Sequence, residues 1–218
     1  MRLEERIAET RTRLLADGVI VCIRFGAGGG ILEACRAAAR GGLGVFEITL
    51  TTPGALEAIR SLARDESLLV GAGTALEPAQ VAAVAEAGGR FVLSPVFDPE
   101  VLRAARRREI LAIPGAATPA EVLAAWRAGA ALVKVFPAGC LGGPAFLRRV
   151  RGPFPEIPLI PTSGPNAENV AEYLAAGAAA VGVGAEVAAE GWNAAEIEIA
   201  ARTMREAFDA ARRNGAGR

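Results

Sequence analysis

The sequence predicts an α/β protein folded as a (β/α)8 barrel with an extra N-terminal helix. Eight short runs rich in valine, isoleucine and leucine alternate with longer stretches that repeat at helical spacing. The runs start about 19 to 26 residues apart, which suits one strand, one loop and one three-turn helix of a parallel sheet. No linker-like segment interrupts the alternation, so we interpret residues 1–218 as a single barrel domain. The alternative is an open doubly wound sheet, which usually has only about five to seven strands.

The predicted strands follow from these apolar runs. In order they are Val19–Phe25, Val45–Leu50, Leu68–Thr74, Phe91–Pro95, Ile110–Pro114, Leu132–Pro137, Pro158–Thr162 and Ala179–Gly184. Helices are expected between them because Pro, Asp, Thr or Asn precedes several periodic stretches and Gly follows, as capping chemistry prefers. The helix candidates include Glu77–Ala87, Pro99–Arg108, Pro119–Ala128 and Ala167–Ala176, with residues 1–18 as the N-terminal helix and 193–214 as a long closing helix.

The charged residues exclude several kinds of chemistry. The chain has 24 basic and 24 acidic residues, no histidine, and a single lysine, Lys134. The absence of histidine excludes a Ser-His-Asp or Cys-His nucleophile and a His-ligated zinc. With no basic excess, the sequence predicts neither nucleic-acid binding nor a polybasic membrane patch. Proton transfer must therefore come from carboxylates, the lysine, cysteine, tyrosine or the substrate.

The cysteines and apolar runs favour a cytoplasmic protein. Cys22, Cys35 and Cys140 are odd in number and widely spaced, which is typical of a reducing compartment. The first residues lack signal-peptide chemistry, and apolar runs such as 173–185 fall short of the ~20 residues that span a bilayer. We expect no metal, no cofactor and no membrane association.

Two charged residues stand inside otherwise apolar strands. Glu47 lies in the second predicted strand and Lys134 in the sixth, and burying either charge alone would be costly. Inward side chains of alternate barrel strands share a layer, so the two residues can face each other in one cavity. Burial disfavours the ammonium form of a lysine, and the neutral amine attacks a carbonyl to form a Schiff base. A nearby carboxylate would move the protons.

A structural ion pair is the alternative interpretation of these two residues. Every other cation in the chain is arginine, so a purely structural pair would be expected to use arginine here as well. Arginine cannot lose its proton and act as a nucleophile, whereas lysine can. This contrast favours a reactive Lys134. For Glu47 alone, pairing within the barrel core and catalysis both stay open.

Other strand ends indicate a small anionic substrate. Arg24 lies near the end of the first predicted strand, on the same face as Ile20 and Cys22. Its guanidinium there would bind a carboxylate or phosphate or form a surface ion pair. The Gly-rich third strand ends in the hydroxyl of Thr74. The last two strands end in loops where barrels often bind anions through backbone N–H groups. The residues of these loops are Thr162, Ser163, Gly164 and Gly184.

Six short motifs occur in order along the chain. They are Phe46-Glu47-Ile48-Thr49-Leu50, Val70-Gly71-Ala72-Gly73-Thr74, Leu93-Ser94-Pro95, Ile113-Pro114-Gly115, Val133-Lys134-Val135-Phe136-Pro137 and Pro161-Thr162-Ser163-Gly164. From about Val19 to Val187 the chain resembles the class I aldolases that cleave 2-keto-3-deoxy-6-phosphogluconate (KDPG) and 4-hydroxy-2-oxoglutarate (KHG). The resemblance implies a barrel, usually a homotrimer, with Lys134 as the Schiff-base lysine and Glu47 as the general acid and base.

The same resemblance implies roles around the substrate and shows three departures. It implies that Thr74 helps to hold the substrate carboxylate and that Pro95 and Phe136 line the pocket. Many family members have arginine where this chain has Thr51, a position that contacts the substrate, and members with threonine there use the arginine at Arg24. Ser163-Gly164, followed by Pro165, replaces a glycine pair, and Ala185 replaces a serine that often binds phosphate. These departures leave open whether the substrate is phosphorylated.

The sequence therefore predicts a class I aldolase that cleaves a 4-hydroxy-2-oxo acid to pyruvate and an aldehyde. The only expected partners are the small 2-oxo acid substrate and further copies of the chain. One alternative is a phosphate-binding barrel isomerase or synthase that uses Glu47 as base and Lys134 as a charged anchor. A second alternative is a barrel that has no catalytic activity and serves as a binding or scaffold protein.

Overall fold

The computed structural model describes residues 3–27 and 29–215, in which strands and helices alternate. The strands are β1 Val19–Ile23, β2 Val45–Thr49, β3 Leu69–Gly73, β4 Phe91–Leu93, β5 Leu111–Ile113, β6 Gly115–Ala116, β7 Val133–Val135, β8 Leu159–Pro161 and β9 Val181–Val183. The helices are α1 Leu3–Asp17, α2 Ile31–Arg40, α3 Ala55–Leu62, α4 Pro78–Glu86, α5 Pro99–Arg107, α6 Pro119–Arg127, α7 Gly143–Arg151, α8 Val170–Ala175 and α9 Ala194–Gly215.

The strands form a closed parallel barrel, as predicted. Six strands pair in the order β5-β4-β3-β2-β1-β9, and three pair in the order β6-β7-β8. A parallel bridge between Thr162 and Gly182 joins the end of β8 to β9. Since β5 and β6 follow each other directly in the chain, the two sheets together make eight strand positions around the barrel.

The fifth predicted strand ends differently in the structure than the sequence predicts. The apolar run predicts a strand that stops at Pro114, whereas the structure interrupts the strand there and resumes it over Gly115–Ala116. Proline has no N–H to donate to a neighbouring strand, so the ladder breaks at this residue. The Pro114 carbonyl still accepts a hydrogen bond from the Lys134 N–H at 2.8 Å. The break therefore places β6 next to β7 and leaves the barrel closed.

The lower half of the barrel interior is apolar. Ile20, Val45, Leu69 and Ile160 belong to one buried cluster, and Leu14 of α1 packs into the same cluster. The N-terminal helix thus covers the end of the barrel opposite the carboxyl ends of the strands. Among the described residues, no helix is both long and apolar enough to cross a bilayer.

Helix α8 is shorter than predicted. The periodicity indicates a helix over Ala167–Ala176, whereas α8 spans only Val170–Ala175. The Asn166 side-chain oxygen accepts hydrogen bonds from the backbone N–H groups of Glu168 and Asn169, at 2.9 and 3.0 Å. Asn favours such local turns over helix, so residues 166–169 form a turn that delays the helix.

Glycine inside the upper barrel makes room for polar side chains. A Cβ atom at Gly73 would overlap the carboxylate of Glu47 on the adjacent strand β2. A Cβ atom at Gly182 would crowd the Thr162 side chain in the same way. Polar groups can therefore occupy the upper half of the barrel, above the apolar cluster.

Candidate active site

The barrel brings Glu47 and Lys134 together, as the strand alternation predicts. The Lys134 Nζ atom lies 3.4 Å from Glu47 Oε1, and the two side chains are only 6% and 1% exposed. Lys134 Nζ donates a hydrogen bond to this oxygen. In the part of the chain that the structure describes, the second carboxylate oxygen, Oε2, has no hydrogen-bond partner. A buried carboxylate oxygen without a partner is available to a bound molecule.

The surroundings of this pair are weakly polar. The Phe136 ring centroid lies 5.2 Å from Lys134 Nζ. Cys22 on β1 is the strand partner of Glu47. Burial raises the pKa of the Cys22 thiol far above its usual value, and the neighbouring Glu47 carboxylate raises it further. Cys22 therefore stays a neutral thiol at physiological pH and does not compete with the lysine as a nucleophile.

Arg24 extends across the ends of three adjacent strands. Its Nη1 atom donates to Thr51 Oγ1 at 2.9 Å, and its Nη2 atom donates to Thr74 Oγ1 at 3.2 Å. The hydroxyl of Thr49 lies 3.1 Å from Thr51 Oγ1 and 2.9 Å from the hydroxyl of Thr52. Because the guanidinium is held by neutral hydroxyls rather than by a carboxylate, its charge is available to an anionic substrate group. The alternative of a surface ion pair is not realised among the described residues.

Two of the candidate residues have a left-handed backbone. Thr74 has φ of +60° and Ser163 has φ of +64°. This conformation costs a residue with a side chain about 1–2 kcal/mol. Such strain is often found at functional sites, where the surrounding structure enforces it. Both residues lie where a barrel strand turns into its loop, at the mouth of the barrel.

The loops after β8 and β9 lie at the same mouth. Thr162 is buried, and its hydroxyl has no hydrogen-bond partner among the described residues. The Ser163 carbonyl accepts from the Gly139 N–H at 2.7 Å, and the Gly164 carbonyl accepts from the Asn169 amide at 2.9 Å. These contacts hold the loop after β8 in place.

Two further candidates lie after β9 and after β4, which are not neighbouring strands. The Gly184 N–H donates to the carboxylate of Glu186 at 2.8 Å, so an internal side chain occupies this donor. Pro95 follows β4. Its backbone lies so close to Gly115 that a Cβ atom at Gly115 would overlap the Pro95 carbonyl. Pro95 therefore lies beside the strand break at Pro114.

Sequence reasoning did not single out several residues of this site. The buried hydroxyls of Thr49 and Thr52 continue the hydrogen-bond chain that begins at Arg24 and Thr51. Thr49 could have been found because it lies two residues after Glu47 on the same strand. The contact of Glu186 with Gly184 follows no periodicity and has no signal in the sequence.

The described residues contain no group of three or more Cys, Asp, Glu or His side chains that could hold a metal ion.

Comparison with known proteins identifies the family. Residues 11–201 match the family "KDPG and KHG aldolase". The chain is 40% identical to the 2-dehydro-3-deoxy-phosphogluconate aldolase of Pseudomonas aeruginosa over 174 residues, which is 79% of each chain. It is 36% identical to the KHG/KDPG aldolase of Escherichia coli over 179 residues, 81% of this chain and 84% of the relative.

A solved structure of a further aldolase also superposes on this chain. The KDPG aldolase of Legionella pneumophila, solved with pyruvate captured as a covalent carbinolamine, superposes with a TM-score of 0.76 at 32% identity. The superposition covers 90% of this chain and 95% of that one. The chain therefore belongs to the KDPG and KHG aldolase family and is an aldolase, a carbon–carbon lyase.

Proposed function

We propose that this aldolase cleaves a 4-hydroxy-2-oxo acid of the KDPG or KHG type to pyruvate and an aldehyde through a Schiff base on Lys134. The observation that carries the proposal is the buried contact of 3.4 Å between Lys134 Nζ and Glu47 Oε1. A lysine beside a carboxylate in a water-poor site can pass its proton along this contact and become a neutral nucleophile.

The first half of the reaction forms the iminium ion. The Lys134 amine bonds to the C2 ketone carbon of the substrate, and a proton shifts to the former carbonyl oxygen to give a carbinolamine. Protonated Glu47 donates its proton to this hydroxyl, which leaves as water. The products of this stage are an iminium ion between Lys134 and C2 and an ionised Glu47.

The second half breaks the carbon–carbon bond. Ionised Glu47 takes the proton of the C4 hydroxyl, the C3–C4 electron pair moves toward the iminium, and the aldehyde leaves. The enamine that remains takes the proton back from Glu47 at C3, and water then releases pyruvate and the free lysine. The Glu47 oxygen without an internal partner, Oε2, is the atom best placed to exchange protons with the substrate.

The substrate carboxylate is assigned to the Arg24 side of the mouth. Arg24 supplies a positive charge there, with the hydroxyls of Thr51 and Thr74 within hydrogen-bond distance of its guanidinium. Phe136 and Pro95 would form apolar walls beside the reacting carbons. The far end of the substrate would then lie toward the loops after β8 and β9, where Thr162, Ser163, Gly164 and Gly184 are found.

The proposal includes a cytoplasmic homotrimer built from one barrel domain per chain. Leu76 and Val96, in the loops after the adjacent strands β3 and β4, are 45% and 53% exposed. Contact between subunits would remove such apolar side chains from water. Sedimentation equilibrium is expected to give three times the mass of one chain, and a monomer at micromolar concentration would contradict the trimer.

Trapping the Schiff base tests the reaction directly. Borohydride added with pyruvate should raise the intact mass by that of pyruvic acid less one oxygen atom. Lys134→Arg should form no adduct and lose at least about 1,000-fold in kcat, because arginine cannot supply a neutral amine. This variant keeps the N-terminal amine, so it also controls for labelling there. An isomerase that uses Lys134 as an anchor would keep substantial activity, and a binding protein would form no adduct in the wild type.

Replacement of Glu47 separates proton transfer from nucleophilic attack. Glu47→Gln should lower kcat by about 100- to 10,000-fold, the usual contribution of a general acid or base. Slow accumulation of the pyruvate adduct should persist, since Lys134 is retained. Glu57→Gln, at an exposed position of α3, is the matched control and should behave as the wild type. Near-normal turnover of Glu47→Gln would exclude the assigned role.

Replacement of Arg24 tests the position of the substrate carboxylate. Arg24→Gln should raise KM by about 10- to 100-fold, which corresponds to the loss of one hydrogen bond to a charged group. The kcat should change little. Arg60→Gln, an exposed arginine on α3, is the control. An unchanged KM in Arg24→Gln, or a loss confined to kcat, would contradict this placement.

A further inference from the structure

A chain of hydrogen bonds runs from the side chain of Arg24 through three threonine hydroxyls. Arg24 Nη1 donates to Thr51 Oγ1 at 2.9 Å, and Thr51 Oγ1 lies 3.1 Å from Thr49 Oγ1. Thr49 Oγ1 lies 2.9 Å from Thr52 Oγ1, which accepts from the Phe25 N–H at 3.1 Å. The hydrogen-bond chain therefore begins at the guanidinium of Arg24 and returns to the backbone of the next residue.

The direction of these hydrogen bonds follows from the acceptors that each buried hydroxyl meets. Thr52 is 2% exposed and its oxygen accepts from Phe25, so its own hydroxyl hydrogen needs a partner inside the protein. Among the described residues, the acceptor that this hydroxyl meets is Thr49 Oγ1. Thr49 is 0% exposed, and once its oxygen accepts from Thr52, the partner left for its own hydrogen is Thr51 Oγ1. The hydroxyls therefore donate in one direction, outward from Thr52 to Thr51.

Thr51 is the exposed end of the hydrogen-bond chain. Its oxygen accepts from Arg24 Nη1 and from Thr49, and these two bonds occupy both of its lone pairs. Its hydroxyl hydrogen is then left for a group outside the protein. The Thr74 oxygen accepts from Arg24 Nη2, and its hydroxyl hydrogen has no acceptor among the described residues. This side of the mouth thus offers a guanidinium and two hydroxyl donors to a group that only accepts hydrogen bonds, such as a carboxylate.

We propose that Thr49 and Thr52 are positioning residues for the carboxylate of the substrate. Neither touches the substrate in this proposal. Their hydroxyls fix Thr51 as a hydrogen-bond donor, and Thr52 also holds the Phe25 N–H, which belongs to the backbone directly after Arg24. The proposal rests on the proposed aldolase function and adds how the binding of the 2-oxo acid end is enforced from within the barrel.

Pyruvate is the probe for the test, because it has the carboxylate and the ketone but nothing of the far end of the substrate. The rate of borohydride trapping is measured against pyruvate concentration. Thr49→Val keeps the shape of the side chain and removes the hydroxyl. It should raise the half-saturating pyruvate concentration by about three- to tenfold, the scale of one neutral hydrogen bond, and change the maximal rate by less than about twofold. Thr49→Ser keeps the hydroxyl and should stay within about twofold of the wild type.

A double-mutant cycle tests whether the effect passes through Thr51. Thr51→Val should raise the half-saturating concentration at least as much as Thr49→Val. Adding Thr49→Val to Thr51→Val should then raise it by less than about twofold more, because residues of one hydrogen-bond network are not additive. Thr52→Val should act in the same direction as Thr49→Val, since it removes the donor to Thr49 and the acceptor of the Phe25 N–H.

Thr10→Val is the matched control, because Thr10 is a buried threonine of α1 whose hydroxyl donates to the Arg6 carbonyl in the same helix. It should leave both the half-saturating concentration and the maximal rate as in the wild type. A shift equal to that of Thr49→Val would mean that any loss of a buried hydroxyl has this effect, and would overturn the proposal.

Three further results would overturn the positioning role. They are wild-type saturation by pyruvate in Thr49→Val, equal impairment of Thr49→Ser and Thr49→Val, and additive effects of Thr49→Val and Thr51→Val. If Thr49→Val does not fold, the exposed Thr51 decides, and unchanged saturation in Thr51→Val contradicts the proposal. Failure of the aldolase function itself looks different, because the wild type would then form no adduct even at saturating pyruvate.

Discussion

The buried contact between Lys134 and Glu47 is the constraint around which the upper barrel is arranged. Each charge alone would be expensive to remove from water, and the two become tolerable only because they face each other across the barrel interior. Their proximity requires the neighbouring strand to be Gly-rich, because any side chain at Gly73 would occupy the space of the Glu47 carboxylate. The buried ion pair therefore depends on glycine at position 73 of β3.

The contact also explains why the barrel is divided into two layers. The lower layer is apolar, and Leu14 of α1 packs into it. The upper layer contains the polar and charged groups. Glu47 Oε2 and the Thr162 hydroxyl are both buried, and neither has an internal partner among the described residues. Unsatisfied buried oxygens cost free energy in the free protein, and a bound substrate can recover that cost.

Charge at the mouth is distributed unevenly around the barrel axis. Arg24 lies over the ends of β2 and β3, while Glu186 and Glu190 lie by β9 and β1. An anionic substrate group would be attracted to the Arg24 side of the mouth before any covalent bond forms. In the proposed reaction the substrate ketone carbon would lie over Lys134, so binding and chemistry would use different parts of the same ring of strand ends.

Local patterns in the sequence determined the barrel, the N-terminal helix and the two buried charged residues, Glu47 and Lys134. Strand alternation depends on a period of two, and a lone lysine in an apolar run is visible without any tertiary information. The interruption at Pro114 and the late start of α8 differ from the periodic pattern, because proline lacks an N–H and Asn166 caps a turn. Only the tertiary structure decided the bonding of Arg24 to Thr51 and Thr74, and of Glu186 to Gly184. Loop side chains at strand ends follow no repeat, so their partners are set by which loops the closed barrel brings together.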